Sequence, residues 1–102
     1  MPIESFSSNL LQLLFRGSMP DEETDELPVK YYPRALEILK RLDSAKSLTD
    51  LADLKPSYFK GSFEGLKGMH GIEIFSEFRN SYLLCFRWHG KDAFEVRVAY
   101  FE

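Results

Sequence analysis

The sequence has few of the residues that staple secreted proteins or bind metals. Its single cysteine, Cys85, leaves no internal disulfide, which is typical of a reducing compartment. Its two histidines, His70 and His89, stand apart without a second pair of ligand residues, so no metal site is expected. The glycines lack the spacing of a phosphate-binding loop, and no cofactor is predicted.

Long apolar runs and a secretory signal are also missing. No segment approaches the roughly 20 apolar residues that span a bilayer, and the N-terminus lacks the basic and apolar regions of a signal peptide. A chain of 102 residues, 44% hydrophobic and 28% charged, is typical of one globular domain over residues 1–102. Together with the lone cysteine, these features predict a cytoplasmic protein without a membrane partner.

The chain has no excess of positive charge. Its formal net charge is −3, with one basic and six acidic side chains in residues 1–29 and twelve against ten in residues 30–102. A dedicated nucleic-acid binder usually has a strong basic excess, because neutralising phosphates supplies most of its affinity. The acidic segment Asp21–Glu26 is most simply a solvated loop, with a partner-binding or autoinhibitory role as the alternative.

Two segments in the first half predict helices. Asn9–Phe15 follows two candidate N-caps, Ser7 and Ser8, and should end near Gly17. A second helix has Pro33 in its first turn and a Glu37–Arg41 pair on its outer side. Its apolar stripe recurs at the helical period and consists of Tyr32, Ala35, Leu36, Leu39 and Leu42.

A capping box at Ser47–Asp50 predicts one or two further turns before Pro56. The pattern then changes to that of strands, with a weak candidate at Phe59–Leu66 and a better one at Ile72–Phe78. Two later segments alternate with a period of two and should form a hairpin around His89–Gly90. One face of that hairpin should hold Tyr82, Leu84, Phe86, Trp88, Phe94, Val96, Val98 and Tyr100. Helices followed by an antiparallel meander predict an α+β fold.

The other face of the hairpin holds the candidate binding residues. Arg87 and Arg97 should share it with Glu95, and Arg79 lies in the preceding connection. One interpretation is cross-strand ion pairing on a solvated surface. The other is a cationic surface that binds an RNA backbone or an acidic partner. Cys85, mid-strand, is interpreted as a small buried thiol.

Five short motifs, in their order along the chain, carry a family resemblance. They are Leu39–Ala45, Ser47–Leu51, Phe63–Gly68, Cys85–Trp88 and Asp92–Val96. From about Phe6 to Glu102 the chain resembles the HigB-like toxins of the RelE/ParE toxin–antitoxin superfamily. The resemblance implies two N-terminal helices packed on a curved antiparallel sheet, and a cognate antitoxin of helix-turn-helix type. The exposed edges of the sheet could pair with a strand of the antitoxin or with a second copy of the chain, so the oligomeric state stays open.

For HigB-like toxins the resemblance also implies cleavage of messenger RNA on the ribosome. Such cleavage needs a base for the ribose 2′-hydroxyl, cations for the charged phosphorane and a proton donor for the leaving oxygen. Lys67 matches the family's lysine and would neutralise the phosphate, and Tyr100 matches a C-terminal tyrosine. Glu64 stands near the position of a family histidine and would act as the base. Lys67 and Tyr100 are therefore expected together on the open side of the sheet.

The chain departs from the family pattern at two places. Leu83 stands where the family has an arginine, and Ala99-Tyr100-Phe101 replaces aspartate-tyrosine-histidine. Losing one such group commonly costs about 10²–10⁴ in rate, so whether the chain is an enzyme stays open. The prediction is a toxin-like component of a type II toxin–antitoxin module. Three alternatives stay open for its mechanism. The first is that it acts on RNA through a rearranged site. The second is a non-catalytic member of the fold that binds protein, as ParE-type toxins bind DNA gyrase, and the third is a degenerate toxin that binds its antitoxin.

Overall fold

The computed structural model describes residues 3–17, 27–59, 66–76 and 80–101, and its architecture is α+β, as predicted. Two α-helices, α1 (Asn9–Phe15) and α2 (Tyr32–Ser44), come before the main strands. The antiparallel sheet has the order β1–β2–β3–β4, with strands Ser57–Tyr58, His70–Ser76, Ser81–His89 and Asp92–Phe101. Short 3-10 helices at Val29–Tyr31 and Leu48–Leu54 flank α2. None of the helices in these ranges is long and apolar enough to cross a membrane.

The predicted first helix is confirmed, with Ser8 as its N-cap. The Ser8 hydroxyl accepts a hydrogen bond from the Leu11 N–H at 3.2 Å, which satisfies one of the free donors of the first turn. Gly17 follows the helix with φ of +83°, a conformation that glycine adopts without steric cost. Three leucines, Leu10, Leu11 and Leu14, bury the helix against the core.

The second helix is also confirmed, with two differences in detail. Ile38 is fully buried, whereas Leu36 of the predicted stripe is only half-buried. Glu37 forms its ion pair with Arg34, at 3.4 Å, instead of with Arg41. The Arg41 guanidinium binds Asp53 at 2.6 Å, and this pair holds the pKa of the Asp53 carboxyl below its usual range. The predicted i, i+4 pair is therefore replaced by a link from α2 to the following 3-10 helix.

The segment after α2 is a 3-10 helix, and its capping box is incomplete. The Ser47 side chain makes no capping bond, whereas Asp50 Oδ2 accepts the N–H of Lys46 at 2.7 Å. Leu51 is fully buried, and Leu48 and Leu54 pack partly against the core. The turn ends at Lys55, which has a left-handed conformation.

The early strands differ from the sequence prediction. The predicted strand Phe59–Leu66 lies mostly outside the described residues; Phe59 follows β1, and Leu66 lies in a turn before β2. β2 begins at His70 rather than Ile72, and residues 77–79 lie outside the described part. A register shift between Glu73 and Phe75 explains why Phe75 breaks the alternation. The extra residue turns Phe75 to the inner face, where it stacks on Tyr31 at 4.4 Å.

The inner face of the sheet, defined as the side that packs on α1 and α2, forms the main core. Leu84, Phe86 and Val96 are fully buried there, as the alternation predicts. Tyr82 and Trp88 pack partly against the same core. The N-terminal segment adds parallel bridges from Ile3 and Phe6 to β4. It therefore pairs with part of the edge of β4 that does not face β3.

The hairpin turn lies one residue later than predicted. His89 pairs with Asp92, so the two turn residues are Gly90 and Lys91 rather than His89 and Gly90. Gly90 has φ of +66°, whereas Lys91 is not among the described residues of positive φ. Glycine as the first central residue is the requirement of a type II′ hairpin turn.

A β-bulge in β4 reverses the predicted orientation of Phe94. Cys85 pairs with Arg97, but Arg87 pairs with Phe94, so β4 contains one extra residue between these two pairs. The residue before Phe94, Ala93, takes the fully buried inner position. Phe94 therefore lies on the same face as Arg87, and the prediction that it shares the face of Val96 is wrong. One extra residue in a strand reverses the faces of the side chains on one side of it relative to those on the other side.

Candidate functional site

The outer face, defined as the side of the sheet opposite α1 and α2, carries an apolar layer of its own. Leu83, Cys85, Arg97, Ala99 and Phe101 face this side by strand alternation. Chain segments next to β1 and β2 cover part of it. We call the resulting group the outer cluster; it contains the buried Leu66, Met69, Cys85 and Ala99 and the partly buried Phe59, Leu83 and Phe101. The expectation of a solvated outer face is wrong for this half of the sheet.

Three residues of the outer cluster lie side by side on β3 and β4. Leu83 and Ala99 pair directly across the two strands, and Phe101 follows two residues later on the same face. The Phe59 and Phe101 rings stack at 6.1 Å, and with Leu83 they line a hollow of about 270 Å³. Leu83, Ala99 and Phe101 thus contribute to one apolar surface.

Gly71 allows Phe59 to lie close to the sheet. A Cβ atom at position 71 would be 2.9 Å from Phe59 Cε2 and 3.4 Å from the Cys85 sulfur. The first distance is shorter than van der Waals contact allows, so any larger residue would displace the ring. The glycine in β2 is therefore required by close packing, as glycines within strands often are.

Cys85 is the chemically reactive group of the outer cluster, and burial suppresses its reactivity. Its side chain is fully buried, which confirms the sequence interpretation. Burial raises the pKa of the Cys85 thiol to about 11, and the opposing effect of the Arg97 charge is smaller. Because the thiolate is the nucleophile, a thiol with this pKa is inert at neutral pH.

The opposite end of the outer face is polar and centred on Arg87. The Arg87 Nε donates to a Glu95 carboxylate oxygen, so the cross-strand ion pair of the first interpretation does form. The Arg87 Nη1 donates to the Lys67 carbonyl oxygen at 2.8 Å and thereby ties the Leu66–Gly68 turn to β3. The Lys67 side chain itself is exposed. Both Arg87 and Glu95 are more than 40% exposed, so the pair is screened by water and contributes little to stability.

An open groove adjoins the Arg87 end. It has a volume of about 410 Å³ and is lined by Gly68, Arg87, Trp88, His89 and Phe94. Phe94 reaches this groove because of the bulge in β4. The Trp88 indole N–H donates to the Gly90 carbonyl at 3.0 Å, which links the groove to the hairpin turn.

The structure does not bring Lys67 and Tyr100 together, contrary to the sequence expectation. Tyr100 lies on the inner side of β4, where its ring contacts Tyr82 at 4.8 Å and its hydroxyl donates to Asn80 at 2.6 Å. Lys67 contacts Arg87, five residues from Tyr82 on β3. At about 3.4 Å per residue, Arg87 lies roughly 17 Å along β3 from Tyr82, the cross-strand partner of Tyr100, and its side chain is on the opposite face.

The remaining candidates divide between the described and the undescribed parts of the chain. Arg97 lies on the outer face directly opposite Cys85 and is half-buried. Glu64 and Arg79 lie outside the described residues. Within the described ranges, no group of three or more histidine, cysteine or acidic residues is arranged to hold a metal ion. Lys67, Arg87 and Arg97 are therefore the candidate residues found on the outer side.

Two features of the site were missed by the sequence analysis. The first is the left-handed conformation of Glu95, with φ of +54°. It could not be predicted, because apolar and polar residues alternate regularly through this segment. The outer cluster, by contrast, had a readable signal, because Leu83, Cys85 and Ala99 are themselves apolar or small. An outward-facing row of such residues indicates that something covers it.

Comparison of the sequence with models of known protein families and with curated proteins finds no match.

Proposed function

We propose that this chain is a cytoplasmic, toxin-like component of a type II toxin–antitoxin module that acts by binding protein and not by cleaving RNA. The order of its elements agrees with the resemblance to HigB-like toxins, since two helices precede an antiparallel sheet. The single observation that carries the non-catalytic part is the outer cluster, which occupies the positions of three polar family residues.

RNA cleavage and protein binding need different side chains at the site. Cleavage needs an acid, a base and cations within a few ångströms of one phosphate. Here Tyr100 and Lys67 lie on opposite faces, and Leu83, Ala99 and Phe101 offer neither charge nor protons. Partly exposed aromatic and aliphatic side chains around a hollow are instead the usual anchor sites of protein interfaces.

The proposed partner is the cognate antitoxin, tested with the product of the gene adjacent to this one. Binding of the two purified proteins is measured by calorimetry for the wild type and for Leu83→Arg. We expect Leu83→Arg to weaken binding at least tenfold, about 1.4 kcal/mol, because it places a charge in the apolar contact. The matched control is Leu13→Arg on α1, where the leucine is 37% exposed and far from the outer face. Equal affinities for Leu83→Arg and Leu13→Arg would contradict the proposal.

A ribosome-dependent ribonuclease is the second candidate, favoured by the three cationic residues on the outer side, Lys67, Arg87 and Arg97. Primer extension on ribosomes with bound messenger RNA separates the two functions. We expect no cleavage by the wild type. Cleavage that disappears in Lys67→Ala would establish the ribonuclease and reject the non-catalytic proposal. Growth arrest without cleavage would support a protein target.

A further inference from the structure

The bulge at Glu95 is the feature whose role the proposed function leaves unexplained. Glu95 and Lys55 are the two non-glycine residues with positive φ in the described part of the chain. A side chain with a Cβ atom disfavours this conformation, and such residues persist only where surrounding contacts hold them. Bulges commonly serve to re-aim a side chain next to a binding site.

The N-terminal segment holds the bulge from the outer edge of β4. The Glu95 N–H donates to the Ser5 hydroxyl at 2.9 Å. On either side, the Glu4 N–H donates to the Ala93 carbonyl at 2.8 Å and the Val96 N–H donates to the Ser5 carbonyl at 3.1 Å. Ser5 thus provides a side-chain acceptor for the backbone N–H of Glu95 at the bulge.

The carboxylate of Glu95 occupies the binding edge of Arg87. A guanidinium binds a carboxylate best through two parallel N–H groups, and the Nε edge is one such pair. Glu95 receives its hydrogen bond from Nε, while Nη1 is used to hold the Lys67 carbonyl. The edge available to a second carboxylate is therefore covered by the chain's own acid. Beside it, the Lys67 side chain is exposed, and no ion pair of the described residues involves it.

We propose that the Arg87–Lys67 end of the outer face binds a carboxylate of the protein partner, and that Glu95, positioned by Ser5, is an internal competitor for that site. This inference rests on the proposed protein-binding function and adds the chemistry of the partner: an apolar anchor in the hollow at Leu83 and an acidic side chain at Arg87. Four residues separate these positions on β3, which corresponds to about 13 Å. An exposed ion pair is weak, so an external carboxylate can replace Glu95.

A carboxylate is favoured over a nucleic-acid phosphate by the surroundings of Arg87. The neighbouring outer cluster is apolar, whereas a nucleic-acid surface presents a continuous row of cations. A single carboxylate next to an apolar anchor matches this surface.

The test uses the only tryptophan of the chain, Trp88, which lines the groove beside Arg87. Its fluorescence is titrated with a tetraglutamate peptide capped at both ends, at constant ionic strength. Removing the competitor in Glu95→Gln should tighten peptide binding about threefold, as expected for an exposed ion pair. Arg87→Gln should abolish binding, and Arg87→Lys, which keeps the charge without the two-pronged edge, should weaken it. Glu37→Gln is the matched control, because it removes an exposed ion-paired glutamate on α2.

The role of Ser5 is tested by a double-mutant cycle in the same assay. Ser5→Ala should tighten peptide binding in the wild type, because Glu95 is then held less firmly over Arg87. The same change should have no effect in Glu95→Gln, and Ser5→Thr, which keeps the hydroxyl, should behave like the wild type. An equal effect of Ser5→Ala in both backgrounds would show that Ser5 acts on stability alone and would overturn its assignment as a positioning residue.

Two outcomes would overturn the main inference. The first is peptide binding by Glu95→Gln that is no tighter than that of the wild type. The second is tighter binding of a tetrauridylate than of the peptide, which would assign the site to nucleic acid. Because the peptide assay involves neither the outer cluster nor the antitoxin, its failure would leave the Leu83→Arg result standing, and the two proposals can fail separately.

Discussion

On the inner face of the sheet, Leu84, Phe86 and Val96 are fully buried against two helices. On the outer face, Arg87 forms an exposed ion pair two residues from Cys85, which is as deeply buried as any inner residue. The same two strands supply both faces. The difference is that two helices pack on the inner face over these residues, whereas irregular chain segments cover only part of the outer face.

This difference bears on how function is built on the fold. A face covered by two amphipathic helices must be apolar throughout, because each polar group there would lose its water. A face covered in part can be apolar at one end and charged at the other. The outer face has this arrangement, because the apolar Leu83 and Phe101 lie at one end and the charged Arg87 lies at the other. Alternation alone separates the two faces but does not show how either is covered.

The largest expected effect contrasts one phenylalanine on each face. Phe86→Ala should lower the free energy of unfolding by about 3–5 kcal/mol, because the ring is fully buried and leaves a cavity. Phe101→Ala should cost about 1 kcal/mol, because its ring is partly in water already. Urea unfolding of both variants measures the difference. Similar losses would mean that the outer cluster is as closed as the inner core.

The next largest effect is the contribution of the Cys85 thiol to the pH dependence of the unfolding free energy. Its size tests whether the outer cluster excludes water. The folded pKa, about 11, is above the ordinary value of 9.0, so the folded state retains the proton more strongly than the unfolded state. The resulting stability is fully present below about pH 9 and is lost as the pH rises towards 11, by up to roughly 3 kcal/mol.

The measurement for Cys85 is the difference in unfolding free energy between the wild type and Cys85→Ala at pH 8 and at higher pH. The substitution removes this thiol while the lysines and tyrosines, which also titrate in alkaline solution, remain in both proteins. The difference should shrink with increasing pH. Rapid reaction of the folded wild type with a thiol reagent at pH 8 would show instead that the outer cluster is open to solvent.

The smallest expected effect isolates the backbone conformation of Glu95. Glu95→Gly and Glu95→Ala both remove the ion pair with Arg87, but only glycine adopts φ of +54° without a steric cost. The glycine variant should therefore be more stable than the alanine variant by about 1 kcal/mol. Thermal unfolding compares the two. If alanine is equally stable, the bulge has moved and Phe94 has returned to the inner face.

The sequence analysis succeeded where one local signal was sufficient. The helical period placed α1 and α2, and the period of two placed Leu84, Phe86 and Val96 on the inner face. It failed at Phe94 because the bulge at the next residue, Glu95, depends on Ser5 of the N-terminal segment, 90 residues away. It also wrongly expected Lys67 and Tyr100 together on one side of the sheet, since no local pattern tells on which face and at which end of a strand a loop lysine will lie.

The amino-acid sequence by itself determined the α+β class, the positions of both α-helices and the apolar faces of β3 and β4. These follow from side-chain periodicity, which is a property of neighbouring residues. Only the tertiary structure decided that Leu83, Ala99 and Phe101 share one apolar cluster, and that Glu95 covers Arg87. Both depend on contacts between segments distant in the chain, where strand register and a single inserted residue select the face on which each side chain lies.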